Sequence, residues 1–173
     1  MNNFFELIEK RESCRSYTGE SIEKEKLIKC IEAARLAPSA CNGQPWQFYL
    51  VTNSDIKSKL VKLTQASSKN ASAFIVILEE KPKLQTKIVN NLKNQEYTQV
   101  DIGIAASHIC LAATELGLST CILGWFNEDK IKELLNINLS KRIRLIISVG
   151  YSSNKELSKK NRKSLDKILT IID

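Results

Sequence analysis

The sequence lacks the features that define several large classes of protein. No stretch approaches the roughly 20 consecutive apolar residues of a membrane span, and the first residues have neither the basic start nor the long apolar core of a signal peptide. The five cysteines are odd in number, and none forms a Cys-x-x-Cys pair. We therefore expect a cytoplasmic protein without a membrane segment, whose thiols are reduced and not joined in disulfides or bound to zinc.

Patterns that bind phosphates or catalyse reactions directly are also missing. Neither G-x-G-x-x-G nor G-x-x-x-x-G-K-[ST] occurs, and no cluster of His, Cys and carboxylates has the spacing of metal ligands. His108, the only histidine, lies among apolar residues, which favours a hydrogen-bonded packing role over catalysis. Cys41 is interpreted as a small packing residue, and Asp101 as a first-turn acid or helix cap. These absences suit a protein whose bound cofactor performs the reaction.

The composition that remains is typical of a globular protein. The 173 residues are 43% hydrophobic and 26% charged. A chain of this length buries roughly two thirds of its unfolded surface, so we expect one domain spanning residues 1–173. The net charge of +7 indicates an anionic ligand, or only a basic surface.

Hydrophobic periodicity divides the chain into helices and strands. It predicts helices over residues 3–10, 22–37, 55–64, 100–116 and 128–135, and strands over residues 46–52, 73–78, 119–126 and 143–149. Residues 79–98 are interpreted as a partly helical surface excursion. Ser21 and Asn127 are predicted N-caps, and Gly117 is predicted to end the central helix. The irregular alternation predicts an α+β fold, with a sheet packed against helices and no doubly wound dinucleotide domain.

Two basic clusters are candidate binding sites for an anion. Arg11 and Arg15, with Ser13 between them, can bind a phosphate because guanidinium groups pair bidentately with its oxygens. The second cluster, near the carboxyl terminus, contains Lys159, Lys160, Arg162 and Lys163. The alternatives are a solvated turn for the first cluster, and a solvated run or a weak nucleic-acid patch for the second. The second cluster has no interleaved aromatic residues, which argues against a single-strand binding surface.

A polar loop separates the second predicted helix from the first predicted strand. Ser39, Asn42 and Gln44 can donate or accept hydrogen bonds there, and Gly43 permits a tight turn. The alternative is an elaborate helix-to-strand connection without a ligand.

Taken together, these residues resemble the nitroreductase family of FMN-dependent oxidoreductases. The first family motif, R-x-S-x-R, is matched by Arg11, Ser13 and Arg15. The second, P-S-x-x-N-x-Q-P-W-x-F, is the most specific and is matched by Pro38, Ser39, Asn42, Gln44, Pro45, Trp46 and Phe48. A D-x-G-x-A helix begins at Asp101, an I-G-G-F-like turn lies at residues 123–126, and a K-x-R-x-P-L-like tail contains Lys160, Arg162 and Leu165. The turn departs from the motif because Trp125 replaces its second glycine, a costly change if φ is positive there.

The resemblance implies an intertwined homodimer with FMN at the interface, in a mostly antiparallel sheet flanked by helices. Residues implied to hold the FMN phosphate and ribityl chain are Arg11, Ser13, Arg15, Lys160 and Arg162. Residues implied to contact the ring and ribityl hydroxyls from the partner chain are Pro38, Ser39, Ala40 and Asn42. The backbone of Leu123, Gly124 and Trp125 would approach flavin N5, and Gln65 would meet the pyrimidine edge.

The activity implied by the resemblance is a ping-pong oxidoreduction. NAD(P)H passes a hydride to flavin N5 and leaves, and a small acceptor such as a nitroaromatic or a quinone then takes the reducing equivalents. The alternatives are a more specific flavin reaction, such as dehalogenation or dehydrogenation, and a flavin-storing protein without turnover. A basic nucleic-acid-binding domain that uses the tail is a further alternative. The short excursion at residues 79–98 also leads us to expect a pocket without a long helical lid.

Overall fold

The computed structural model describes residues 3–65, 68–93, 95–154 and 156–173. Its helices are α1 Phe4–Lys10, α2 Lys24–Arg35, α3 Ser54–Leu63, α4 Leu84–Lys93, α5 Tyr97–Glu115 and α6 Glu128–Leu134. Its strands are β1 Trp46–Val51, β2 Ala73–Glu79, β3 Ser119–Leu123 and β4 Arg142–Gly150. The α+β fold predicted from the sequence is confirmed.

The four strands form one antiparallel sheet in the order β1-β2-β4-β3. The central strand β2 is buried along nearly its whole length, as its continuous apolar run predicts. One residue outside the named strands, Ser13, makes a parallel bridge with Thr120 of β3. The segment that contains Arg11 and Arg15 therefore runs along the outer edge of β3.

Helices cover both faces of the sheet. Alternate residues of β2 point to opposite sides: Ile75 and Ile77 join the apolar cluster of α2 and α5, whereas Phe74 and Val76 join the cluster that α3 and α6 contribute to. Burial of each such side chain contributes about 1.5–3 kcal/mol to folding. Among the described residues, no helix is both long enough and apolar enough to cross a bilayer.

Several predicted boundaries differ from the structure. Ser21 is not the N-cap of α2, which begins at Lys24 after Glu23. The Glu23 carboxylate makes an ion pair with Lys26 and caps no backbone N–H. The strand predicted over residues 119–126 ends at Leu123, and the excursion at residues 79–98 contains all of α4 and the first two residues of α5.

Gly117 ends α5 as predicted. It follows the C-cap Leu116 with φ of +75°, a conformation that costs glycine little. The Gly117 N–H donates to the Thr114 carbonyl at 3.1 Å, and the Leu118 N–H donates to the Ala113 carbonyl at 2.8 Å. This Schellman arrangement turns the chain directly into β3 and so fixes where the edge strand begins.

Replacing Asn127 with Ala is expected to lower the free energy of unfolding by about 1 kcal/mol. The predicted cap is confirmed, because the Asn127 Oδ1 accepts from the Lys130 N–H at the start of α6. Chemical denaturation measures the change. Asn127→Asp is the matched control, since it keeps the acceptor oxygen and is expected to retain most of the stability. An equal loss in both variants would contradict the capping role.

Candidate functional site

Arg11, Ser13 and Arg15 line a polar cleft together with the carboxyl-terminal tail. The cleft has a volume of about 250 Å³ and is lined by residues 11–13, 15 and 158–162. Lys160 and Arg162 lie in its wall, although about 150 residues separate them from the first cluster. The two basic clusters that the sequence presents separately therefore form one site.

Backbone pairing to the sheet edge positions the first side of the cleft. The Cys14 N–H donates to the Thr120 carbonyl at 2.8 Å, beside the bridge between Ser13 and Thr120. In an extended segment, successive side chains point to opposite sides. Cys14 is accordingly buried, while Ser13 and Arg15 remain exposed.

Hydrogen bonds to residues 11–16 position the tail. The Lys160 Nζ donates to the Arg11 carbonyl at 3.0 Å, and the Ser158 N–H donates to the Glu12 Oε2, also at 3.0 Å. Nearer the sheet, the Ser153 N–H donates to the Ser16 carbonyl at 3.0 Å. The tail is thus fastened along the same segment whose arginines it faces.

The cleft carries a strong positive charge. Five cationic residues line it against a single carboxylate, that of Glu12; the five are Arg11, Arg15, Lys159, Lys160 and Arg162. Within the described part of the chain, none of the five has a carboxylate oxygen within 4.0 Å. Guanidinium and ammonium groups without a protein counterion are suited to bind a phosphate.

Two buried thiols near the cleft are not poised as nucleophiles. Burial raises the pKa of Cys110, and a hydrogen bond with Thr120 and the charge of Arg11 offset this only in part. Burial also raises the pKa of Cys121, and the charges of Arg15 and Arg11 offset this only in part. A thiol with a raised pKa stays protonated near neutral pH and is a weak nucleophile. Neither thiol therefore supplies a nucleophile to the cleft.

The polar loop at residues 38–44 has an irregular backbone. Cys41, Asn42 and Gln44 have φ of 53°, 49° and 49°, in the left-handed region that non-glycine residues rarely adopt. Inside the loop, the Gln44 N–H donates to the Ser39 Oγ at 3.0 Å and the Gln44 Nε2 donates to the Asn42 Oδ1 at 2.9 Å. The interpretation of Cys41 as a packing residue is wrong, since its side chain is exposed.

Three residues that the sequence did not assign to the site hold this loop. The Lys83 Nζ donates to the Asn42 carbonyl at 2.7 Å, and the Thr86 Oγ1 donates to the Ala40 carbonyl at 3.3 Å. Asp101 accepts from the Ala40 N–H and is neither a first-turn residue nor a cap, because α5 begins at Tyr97. The only sequence signal was the acid of the D-x-G-x-A motif; nothing marked Lys83 or Thr86.

The loop and the cleft are separate within the chain. Among the described residues the cleft is lined by 11–13, 15 and 158–162, whereas the loop is bonded to α4 and α5. Pro38 and Asn42 are exposed, and Ser39 and Ala40 are partly exposed. These four residues are therefore accessible to a second chain.

The turn after β3 lies beside the end of α3. The Asn127 N–H donates to the Leu63 carbonyl at 2.9 Å, which brings residues 124–126 near the exposed Gln65. Leu123 is fully buried, so only its backbone can face a ligand. Trp125 is 81% exposed and is not among the described non-glycine residues with positive φ, so the backbone strain considered for it is absent.

His108 and possible metal ligands are the remaining candidates from the sequence. The ring Nδ1 of His108 lies 3.0 Å from the Ala33 carbonyl, which confirms its packing role between α5 and α2. Among the described residues, no group of three or more His, Cys, Asp or Glu side chains is arranged to hold a metal ion.

Comparison with known proteins identifies the family. The sequence model of the Nitroreductase family matches residues 8–73 and 60–151. An oxygen-insensitive NADPH nitroreductase of Helicobacter pylori (strain J99) is 28% identical, over 92% of this chain and 91% of that protein. An FMN reductase [NAD(P)H] of Bacillus subtilis is 31% identical, over 79% of this chain and 61% of that protein.

A crystal structure with the same fold supports this match. A nitroreductase family protein from Clostridium difficile 630 superimposes with a TM-score of 0.83 at 30% sequence identity, over 98% of both chains. The family model covers well over half of the chain, including Arg11, Ser13, Arg15 and the loop at residues 38–44. On the strength of this match and of the shared fold, the chain belongs to the nitroreductase family.

Proposed function

We propose that this chain is an FMN-dependent oxidoreductase that moves reducing equivalents from NAD(P)H to a small acceptor by a ping-pong mechanism. Nitroaromatics and quinones are the proposed acceptors. The observation that carries the proposal is the convergence of five cationic residues on one cleft that contains a single carboxylate. FMN, when bound, supplies the redox chemistry by accepting hydride at N5 and reducing the acceptor.

The cleft fits the phosphate of FMN. A phosphate monoester carries a charge of about −1.5 to −2 at pH 7, and the Ser13 hydroxyl can donate to it beside the guanidinium groups of Arg11 and Arg15. Lys160 and Arg162 would close the opposite side. Lys160 is already fixed by its bond to the Arg11 carbonyl, so part of the ordering cost of binding is met before the ligand arrives.

The remaining residues would orient the flavin ring. We propose that Pro38, Ser39, Ala40 and Asn42 of one protomer contact the ring and ribityl hydroxyls held in the cleft of the other. The backbone at residues 123–125 and the side chain of Gln65 would meet its other edge. Backbone N–H groups and cations placed near the pyrimidine ring would stabilise the negative charge that develops on reduction.

A second copy of the chain is the proposed partner. Helix α1 has no buried residue, and Phe4 and Phe5 are 59% and 72% exposed. Large apolar side chains are also exposed at the carboxyl end, at Ile168, Ile171 and Ile172. Exposed apolar surface of this kind marks an interface more often than free surface, which supports a homodimer that joins cleft and loop.

The purified protein is expected to be yellow, with the absorbance of oxidised flavin, and to elute as a dimer. NAD(P)H oxidation should depend on added FMN in stripped protein and should accelerate with a nitroaromatic or a quinone. Initial rates at several concentrations of both substrates would give the parallel double-reciprocal lines of a ping-pong mechanism.

Other results would point elsewhere. A colourless protein that cannot be reconstituted with FMN contradicts the proposal. A yellow protein that oxidises NAD(P)H with none of the acceptors would indicate flavin storage. Tight, salt-sensitive binding to DNA or RNA without uptake of flavin would indicate a nucleic-acid-binding domain.

A further inference from the structure

The main chain of Ala40 is fixed on both sides of its Cα by neighbouring helices. Its N–H donates to Asp101 on α5, at 3.0 Å from Oδ1 and 3.2 Å from Oδ2. Its carbonyl accepts from the Thr86 Oγ1 on α4 at 3.3 Å and from the Gly43 N–H at 2.9 Å. The loop at residues 38–44 therefore has one residue, Ala40, whose N–H is anchored to α5 and whose carbonyl is anchored to α4.

The conformation of this loop needs such an anchor. Positive φ angles occur at three of its non-glycine residues, Cys41, Asn42 and Gln44. Non-glycine residues hold this conformation only where the surrounding contacts over-determine it. Gly43 adds a steric limit, because a Cβ there would lie 2.9 Å from the Ala40 carbonyl oxygen.

Asp101 is an unusual residue for its position. It is only 3% exposed, in a helix that is otherwise mostly apolar on its buried side. A buried charge is costly unless it is paired or hydrogen-bonded, and among the described residues Asp101 has no cationic partner within 4.0 Å. Both of its carboxylate oxygens accept from the Ala40 N–H of the loop. Asp101 therefore stabilises the conformation of the loop and not the packing of the core.

The geometry points to Asp101 as the positioning residue that holds the loop at residues 38–44 in its ligand-binding conformation. This inference rests on the proposed function, in which the loop contacts the flavin ring while the cationic cleft holds the phosphate. Replacement of Asp101 should then weaken binding of the flavin ring, whether or not the flavin carries a phosphate. A purely structural acid would govern neither beyond its effect on the folded fraction.

The test compares two flavins and two variants. FMN and riboflavin share the ring and ribityl chain, but only FMN has a phosphate. Asp101→Ala is expected to weaken the binding of both by about tenfold, since a charge-assisted hydrogen bond that orients the loop is lost. Arg162→Ala is expected to weaken FMN binding alone. At saturating FMN, the visible circular dichroism of the bound flavin should change in Asp101→Ala and not in Arg162→Ala.

Two further variants separate positioning from stability. Asn53→Ala removes the oxygen that caps the start of α3 and, among the described residues, has no bond to the loop or the cleft, so it should lower stability without changing affinity for either flavin. Asp101→Asn keeps one acceptor oxygen but loses the charge, and about threefold weaker binding of both flavins is expected. Asp101→Asn replaces Asp101→Ala in the binding measurements if Asp101→Ala does not fold.

The outcomes are distinct. Unchanged affinity and unchanged circular dichroism in a folded Asp101 variant would overturn the inference, and so would a loss confined to FMN. A wild-type protein that binds neither flavin would instead overturn the proposed function. Circular dichroism of the FMN complex alone decides the matter if riboflavin binds too weakly to titrate.

Discussion

Replacing Arg162 with Ala is expected to weaken FMN binding by about 10- to 100-fold, because a hydrogen bond between charged groups contributes about 1.5–3 kcal/mol. Arg162 is exposed, and its one hydrogen bond among the described residues is local, to the Asn161 carbonyl, so its loss should leave the fold intact. Arg11→Ala should weaken binding to a similar extent, since it removes a guanidinium from the cleft but keeps the main-chain carbonyl that holds Lys160. Fluorescence quenching during titration of stripped protein with FMN measures both effects.

Arg35→Ala is the matched control for this prediction. Arg35 is an exposed arginine of α2 that pairs with Glu32 and does not line the cleft, so its removal changes the net charge equally without touching the site. Affinity for FMN should also fall with rising salt in the wild-type protein, and less steeply in Arg162→Ala. Unchanged FMN affinity in both Arg11→Ala and Arg162→Ala would refute the phosphate assignment.

The sequence could predict those parts of the molecule that depend on short-range patterns. Apolar periodicity located α2, α5 and the buried strand β2, and single residues located two helix ends: Asn127 as a cap and Gly117 as a terminator. Both act through bonds to residues at most four positions away, so their local sequence is sufficient. The prediction failed at Ser21 because the N-cap position of α2 is Glu23, two residues later. The Glu23 carboxylate makes an ion pair with Lys26 in the first turn of the helix.

Long-range contacts explain what the sequence could not predict. Asp101 lies 61 residues from the peptide group that it holds, and Lys83 lies 41 residues from the Asn42 carbonyl. Cys41 was expected to pack because no residue beside it in the sequence supplies a base that would make it reactive, but its left-handed backbone leaves the side chain exposed. The two basic clusters could be joined in advance only through the family resemblance, since no local pattern relates residues 11–15 to residues 159–163.

Replacing Gly150 with Ala is expected to lower the free energy of unfolding by about 1–3 kcal/mol, the usual cost of an overpacked core. A Cβ at Gly150 would lie 2.6 Å from Cδ1 of Tyr17 and 3.3 Å from Oγ of Ser72. The Tyr17 ring cannot easily withdraw, because it is buried and its hydroxyl lies 2.9 Å from the Ser148 Oγ. Thermal unfolding should show a midpoint about 2–12 °C lower.

The same substitution should also weaken FMN binding, because Tyr17 connects the sheet to the cleft. Tyr17 pairs with Ser152 at the root of the tail and lies two residues after Arg15, so a displaced ring would move both sides of the cleft. Gly103→Ala is the control: an added Cβ there meets nothing within 4 Å, and alanine favours a helix interior over glycine. An unfolding midpoint that does not fall in Gly150→Ala would show that the Tyr17 ring moves aside without cost, which contradicts the prediction. Lower stability with unaltered FMN affinity would show that Tyr17 supports the core but not the cleft.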